Sequence, residues 1–363
     1  MIYLKILKQK LISFLKRRLV FFSRSTGRMP IVSGNNGFII NFTKGVFLTT
    51  HARPKYASNI LSESTNSYNE RDYAFVIQGP IGSYSEFLYE TILLYNKLFP
   101  RVLIIVSTWK DEDSLTIKKI EKLGAVVLQT EIPDSSGLFN VDLQTLSTSV
   151  GLDFASKKGV RFCIKTRPDC RIYKSNTISF LKSMLKTFPV ELESKISSRI
   201  IASSVASCKY RVYGLTDIFL FGATQDLQRY FSPVLHKEWL KKNNLNVDTP
   251  LIEGTPVISE IFLCARYLDS LDIELQWSLE HWWECLKDFF CIVDNDAIDL
   301  FWYKHDWSYE KRFTRAYGYK NPRSLEFSDW LTLFAGETIN WDKIDYKEKW
   351  VEKNGKLEQE EVI

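Results

Sequence analysis

The 363-residue sequence is poor in the patterns that mark common metal and cofactor sites. Its six cysteines, Cys163, Cys170, Cys208, Cys264, Cys285 and Cys291, form no C-x-x-C pair. Its four histidines, His51, His236, His281 and His305, show no H-x-H, H-E-x-x-H or mixed Cys/His spacing, so a zinc centre has no support. No G-x-G-x-x-G follows the first apolar run and no G-x-x-x-x-G-K-[ST] occurs, which removes a standard dinucleotide site and a P-loop. No apolar run is long enough to span a bilayer or to form the core of an export signal. Several cysteines sit inside apolar runs, where a thiol acts as a small core hydrophobe, and this usage fits a reducing compartment.

What is present is ordinary globular material, 45% hydrophobic and 25% charged, enough for about two domains or one large α/β unit. The net charge of +5 is unevenly placed. Residues 1–28 hold eight cations (Lys5, Lys8, Lys10, Lys16, Arg17, Arg18, Arg24 and Arg28) and no acid, which leaves −3 for the rest. The body therefore gives no reason to expect nucleic acid. In the leader, Leu4, Leu7, Leu11, Phe14, Leu15 and Phe22 recur at helical steps away from Lys5, Lys16 and Arg17. That pattern predicts a basic amphipathic helix for an anionic membrane surface, with a helix packed on its own domain or a floppy basic terminus as the alternatives. Residues 29–70 read as a linker and irregular lead-in.

From Tyr73 the pattern becomes α/β: short β-branched runs alternate with longer amphipathic segments. Strands are expected at Tyr73–Ile77, Val102–Val106, Ala125–Leu128 and Arg161–Lys165, and helices at Tyr84–Phe99, Glu112–Leu123 and Asp142–Ser156. Three βα repeats feeding a fourth strand predict a Rossmann-like, mostly parallel sheet flanked by helices, with ligands bound at the carboxyl ends of its strands. Gln78, Ser107, Thr108 and Asp169 stand at those ends.

The densest motif is Lys165-Thr166-Arg167-Pro168-Asp169-Cys170-Arg171. Three cations and one carboxylate at a strand end suit a phosphate-bearing substrate. Asp169 is a candidate oxygen ligand for Mg²⁺ or Mn²⁺, and Lys165, Arg167 or Arg171 would neutralise a diphosphate. If the segment stays extended, Lys165, Arg167 and Asp169 share one side. A surface turn with an Asp169–Arg171 ion pair is the plain alternative. Asp217 lies in the apolar stretch Tyr213–Gly222 (YGLTDIFLFG), expected as a strand pair or strand entry, and Glu260 lies at the start of a helix expected to run to Leu268. Each is a candidate base, Asp217 first and Glu260 second, against solvated-turn and helix-dipole alternatives. The aromatic-rich stretch from Trp277 to Tyr309 reads as core more readily than as a sugar platform. Lys347–Glu361 has the composition of a solvated helix.

Phe75–Ile81 (FVIQGPI), Ile104–Trp109 (IIVSTW), Asn140 with Gln144–Thr148 and Gly151-Leu152, then KTRPDCR, TDIFLFG and PVISE, resemble the WavE-type lipopolysaccharide-synthesis family over about residues 72–270. That family is regarded as glycosyltransferase-like with a GT-A style domain. The resemblance implies that Gln78 and Gly79 approach a nucleotide and that Thr108 and Trp109 border it. Gln144 would join these donor contacts; Lys165, Arg167 and Asp169 would form the diphosphate and metal motif; and Asp217 and Glu260 would face the acceptor. Two departures stand out. Leu143 precedes Gln144 where the family usually has a basic residue, and the motif is not D-x-D, so a divalent cation is an option rather than a requirement.

The expected organisation is a membrane-surface helix (1–28), a linker (29–70), a GT-A-like nucleotide-sugar and acceptor domain (71–270) and an aromatic-rich helical C-terminal region (271–363). The expected partners are a nucleotide-sugar donor, a lipid-linked or oligosaccharide acceptor and, through residues 1–28, an anionic membrane. The expected function is glycosyl transfer in bacterial surface-polysaccharide synthesis, in the cytoplasm and peripheral to the inner membrane face. A polyol-phosphate transferase and a non-catalytic carbohydrate-binding subunit are the alternatives.

Overall fold

The computed structural model describes residues 39–42, 46–49, 53–60, 69–191, 195–243, 258–305, 324–339, 350–353 and 356–359. The helix expected over residues 1–28 lies outside them. Among the described residues, no helix is long and apolar enough to cross a membrane.

The chain divides into two units, Met1–Lys55 and Tyr56–Ile363. In the first, β1 (Ile39–Phe42) pairs antiparallel with β2 (Val46–Thr49), where an irregular linker was expected. The β-branched and aromatic residues of both segments suit a short ribbon.

The second unit is built on a seven-stranded sheet of β3 (Tyr73–Gln78), β4 (Leu103–Trp109), β5 (Val126–Thr130), β6 (Phe162–Thr166), β8 (Ile200–Ser203), β9 (Leu220–Ala223) and β10 (Phe290–Val293). The spatial order is β10-β8-β9-β6-β3-β4-β5. Only β9 runs against its neighbours β6 and β8; the other strands of this sheet share one direction. Every residue of β3 is buried, as a central strand covered on both faces requires. Helices α1 (Ser85–Leu98), α2 (Ser114–Glu121) and α3 (Val141–Lys157) make the crossovers expected from the sequence. Asp113 caps α2, its carboxylate accepting from the Thr116 N–H at 2.8 Å.

Beyond β6 the chain forms β7 (Cys170–Ile172), α4 (Thr177–Thr187), α5 (Thr224–Tyr230), α6 (His236–Lys242) and α7 (Ser259–Ser270). It continues through α8 (Leu279–Phe289), α9 (Asn295–Ile298), β11 (Leu300–Trp302) and α10 (Phe327–Phe334). The boundary expected between residues 270 and 271 is not a structural one. Strand β10 joins the main sheet beside β8, and Trp282 and Trp330 are fully buried in the same core as β3 and β6. The Trp330 indole N–H donates to the carbonyls of Leu286 and Phe290 at 3.1 and 2.9 Å, which satisfies its polar edge. Residues 271–305 thus complete the domain that starts at β3. The last segment also differs from expectation: β12 (Trp350–Lys353) and β13 (Lys356–Gln359) form an antiparallel hairpin, not a helix. Five of the six cysteines are buried and none is disulfide-bonded, in keeping with a role as core hydrophobes.

Candidate functional site

The carboxyl ends of β3, β4 and β6 lie side by side: Gln78 registers with Ser107, and Ile77 with Thr166. Gly79 follows β3 with φ +123°, a conformation glycine adopts without strain, and its N–H donates to the Ser107 carbonyl at 3.0 Å. A Cβ there would lie 3.6 Å from Pro168 Cδ, so the loops after β3 and β6 abut. Glu112 fixes this corner. Its carboxylate accepts from the N–H groups of Ile81 at 2.6 Å and Gly82 at 3.1 Å and from the Thr108 hydroxyl at 3.0 Å. Thr108 and Trp109 are both buried, so they form the wall of the corner rather than free faces. The Ser107 and Thr166 hydroxyls are buried there without a partner among the described residues.

The motif after β6 does not stay extended. The Cys170 N–H returns to the Arg167 carbonyl at 3.1 Å, a turn that Pro168 favours by fixing φ. Asp169 therefore folds back onto Arg167, whose Nε and Nη2 donate to its two carboxylate oxygens at 3.0 and 3.1 Å. Strand β11 pairs antiparallel with β7 and brings up Trp302, whose Nε1 donates to Asp169 Oδ2 at 3.0 Å. Burial alone pushes the Asp169 carboxyl up. The Arg167 charge and the hydrogen bonds from Arg167 and Trp302 outweigh it and hold the group below the usual carboxylate range.

Lys165 is wholly buried, its ammonium donating to the Asp217 carbonyl and lying 5.3 Å from the centre of the Phe231 ring. Burial pushes it down to about 8, against the pull of Asp217. Asp217 stands in a buried loop just before β9, since Tyr213 takes a left-handed φ of 55° and strand pairing with β6 begins only at Leu220. The Gln144 side chain, on α3, donates to Asp217 Oδ2. Glu260, in the first turn of α7, is raised by burial and then by the charge of Asp217, with Arg211 pulling the other way. Ser259 donates to its Oε2 at 3.4 Å.

Lys165, Arg167, Asp169, Asp217 and Glu260 thus form one charged group, with the neutral Gln144 bonded to Asp217, next to the Gln78–Gly79 corner. Arg171 is not part of it. Its guanidinium donates to the Thr91 hydroxyl at 2.9 Å, the Phe87 carbonyl at 2.8 Å and the Tyr173 hydroxyl at 3.1 Å, which makes it a strut between β7 and α1. The expected diphosphate contact at Arg171 is replaced by this packing role.

A family model described as WavE lipopolysaccharide synthesis matches residues 73–355. The chain belongs to that family. The match runs well past residue 270, in step with the continuous core. None of the curated proteins matches this WavE-family chain. Among solved structures it is similar to a protein described as a nucleotide-diphospho-sugar transferase from Desulfovibrio desulfuricans, at 8% identity and TM-score 0.29, over 48% of this chain and 78% of that one. A glycosyltransferase involved in glycosylation of the major capsid of PBCV-1 is similar at 10% identity and TM-score 0.28, over 51% and 80%. A mannose-1-phosphate geranyltransferase from Thermus thermophilus is similar at 15% identity and TM-score 0.25, over 36% and 41%. The family assignment rests on the family model alone.

The donor set of this WavE-family site does not suit a divalent cation at Asp169. Both of its oxygens already accept from Arg167 and Trp302, and it is 1% exposed. Among the described residues no three His, Cys, Asp or Glu side chains gather as metal ligands would. The parts played by Glu112, Arg211 and Trp302 carry no signal in the sequence. Glu112 looks like any acid near a helix start, and Trp302 reaches Asp169 across 133 residues.

Proposed function

We propose that the chain transfers a sugar from a nucleotide-activated donor to a lipid-linked or oligosaccharide acceptor during synthesis of a bacterial surface glycan. Membership in a lipopolysaccharide-synthesis family supplies the context. The observation that carries the chemistry is the assembly of an accessible cation, Arg167, and two carboxylates, Asp217 and Glu260, at the carboxyl edge of the sheet. Gln78, Gly79 and the Thr108–Trp109 wall would receive the nucleotide, and Gln144 and Lys165 would hold the Asp217 loop.

In a single displacement, the acceptor hydroxyl oxygen forms a bond to the anomeric carbon while the bond from that carbon to the phosphate oxygen breaks. The electron pair leaves on the phosphate, where Arg167 stabilises the charge, and the hydroxyl proton passes to a carboxylate. Glu260 suits that base better than Asp217. It is the more exposed of the two, and its raised affinity for protons strengthens it as an acceptor. The side-chain contact to it from Ser259 is long, whereas Gln144 already occupies one Asp217 oxygen. Asp217 is then the group that orients the acceptor and tunes Glu260. The cationic leader would hold the chain at the inner membrane face, close to a lipid-linked acceptor.

Saturation-transfer NMR on the full chain with UDP-, GDP-, CMP- and dTDP-linked sugars in the presence of Mn²⁺ tests this reading. One nucleotide class should bind, and Glu260→Gln should keep that binding while release of free nucleotide in the presence of acceptor falls at least 100-fold. A folded protein that binds none of the four defeats the nucleotide-sugar reading and favours the non-catalytic subunit.

A further inference from the structure

We infer that the donor's phosphate charge is met at this site by Arg167, aimed by Asp169 and Trp302, and that nucleotide recognition needs no divalent cation. The inference rests on the nucleotide-donor reading above and goes beyond it by naming the element that replaces a metal.

The Arg167 guanidinium has two unlike edges. Nε and Nη2 are engaged by the Asp169 carboxylate, in the two-point geometry that fixes a planar guanidinium in orientation. Nη1 has no acceptor within hydrogen-bond reach among the described residues, and the Arg167 side chain is 28% exposed while that of Asp169 is 1% exposed. One edge of the cation is thus held from behind, and the other has no acceptor among the described residues. The indole of Trp302 completes the mount from two directions: its N–H donates to Asp169 Oδ2, and its ring lies 5.8 Å from the guanidinium carbon. These positions are built by pairing β11 with β7, Trp302 opposite Cys170, so they depend on strand register and not on a surface rotamer.

A phosphate needs two or three donors or a cation, and an arginine with an open edge supplies both charge and N–H donors. The alternative, a metal held by Asp169, would have to remove the carboxylate from both Arg167 and Trp302. That would leave a guanidinium and an indole N–H without acceptors and would weaken metal binding by the cost of orphaning both. Asp217 and Glu260 do not provide another metal site at the same phosphate, because Gln144 holds Asp217 and the buried Lys165 ammonium already sits in the field of Asp217 and Asp169. Lys165 itself, wholly buried, contributes to the positive field but makes no direct contact with a ligand. Asp169 and Trp302 are therefore positioning residues and Arg167 the contact residue.

The test is isothermal titration of the full chain with UDP, GDP, dTDP and CMP, each in EDTA and in Mn²⁺, with free Mn²⁺ counted by electron paramagnetic resonance. The nucleotide that binds should do so with the same Kd within about threefold in both buffers, and no Mn²⁺ should be taken up with it. Arg167→Met should weaken binding about 10- to 100-fold, the range of a charge-assisted phosphate contact, and Arg167→Lys should recover part of it. Trp302→Phe, which keeps an aromatic ring and removes the N–H donor, should weaken nucleotide binding about threefold to tenfold with an unchanged melting temperature. Binding seen only with Mn²⁺, or Mn²⁺ uptake that Asp169→Asn abolishes, overturns the inference while leaving the donor reading intact. Absence of binding in both buffers overturns the donor reading, and this inference with it.

Discussion

Arg167 and Arg171 stand in one seven-residue motif, and their surroundings give them opposite tasks. Arg171 is 2% exposed, lies 4.1 Å over the Phe87 ring and holds α1 against β7 through hydrogen bonds to Thr91 and Phe87. Arg171→Met keeps much of the volume but removes the charged donor from the Phe87 carbonyl and the Thr91 hydroxyl, which keep only the 2.7 Å bond between them. We expect a loss of about 2–4 kcal/mol in urea unfolding, with nucleotide affinity unchanged in the folded variant. A loss of affinity without a loss of stability would return Arg171 to the ligand site. The base carries its own signature. Burial and Asp217 raise Glu260 above the ordinary glutamate value of 4.5, so its proton is lost only at higher pH, and a base works only when deprotonated. The acidic limb of kcat/KM should therefore lie above pH 4.5, and Glu260→Gln should abolish that limb along with most of the rate. The same shift sets a sign for stability. A carboxylate raised in the folded state favours folding at low pH and loses that contribution as pH climbs from the unfolded value through the folded one. Glu260→Gln should thus stabilise the fold relative to wild type at neutral pH. The residue types of this site were visible in the sequence, but their division of labour was not. Two-residue alternation puts Lys165, Arg167 and Asp169 on one face of an extended strand, whereas the turn at Pro168 breaks that alternation and buries Lys165 apart from the exposed Arg167 edge.

At the scale of elements, periodicity works where burial is one-dimensional. β3, β4, β5 and β6 appear within about one or two residues of their expected starts because each is a continuous apolar run between polar turns. It fails where pairing depends on distant chain. The reversed strand β9 begins only at Leu220, β10 enters from beyond residue 289, and β11 finds β7 across the motif loop. None of these partners is encoded locally. The packing of α3 on the sheet offers a direct check. Gly151 lies so close to β3 that a Cβ would sit 2.5 Å from Val76 Cγ1, and Val76 is fully buried and branched at Cβ, which restricts its χ1. Gly151→Ala gains helix propensity of about 1 kcal/mol but forces α3 away from β3 and β4. The steric penalty should win, with a net loss of about 1–3 kcal/mol measured by urea titration. A stabilised Gly151→Ala would mean that α3 sits further from the sheet than this register places it.

For the whole molecule the dominant asymmetry is charge. Eight cations and no acid in residues 1–28 face a remainder of −3, so the two parts of the sequence interact with a charged surface in opposite senses. A body of net charge −3 offers no net attraction to an anionic leaflet, so the leader is the part expected to supply it. Each cation near such a surface contributes about 1 kcal/mol, and the apolar residues Leu4, Leu7, Leu11, Phe14 and Leu15 add burial if they share a helix face. Replacing Lys16, Arg17 and Arg18 by glutamate removes three attractions of this size, a factor of about 100 in partitioning, and adds repulsion on top. The full chain should therefore sediment with vesicles of mixed phosphatidylglycerol and phosphatidylcholine in low salt and be released as salt is raised toward about 0.5 M, where the Debye length is only a few ångströms. The triple variant should stay in the supernatant with an unchanged melting temperature. Vesicles of phosphatidylcholine alone separate the two contributions, because they retain the apolar attraction and lack the charge. If wild type and variant sediment equally with anionic vesicles, the leader is not the membrane contact. The proximity of the sugar-transfer site to a lipid-linked acceptor would then have to come from the acceptor's own binding at the Asp217–Glu260 side of the site.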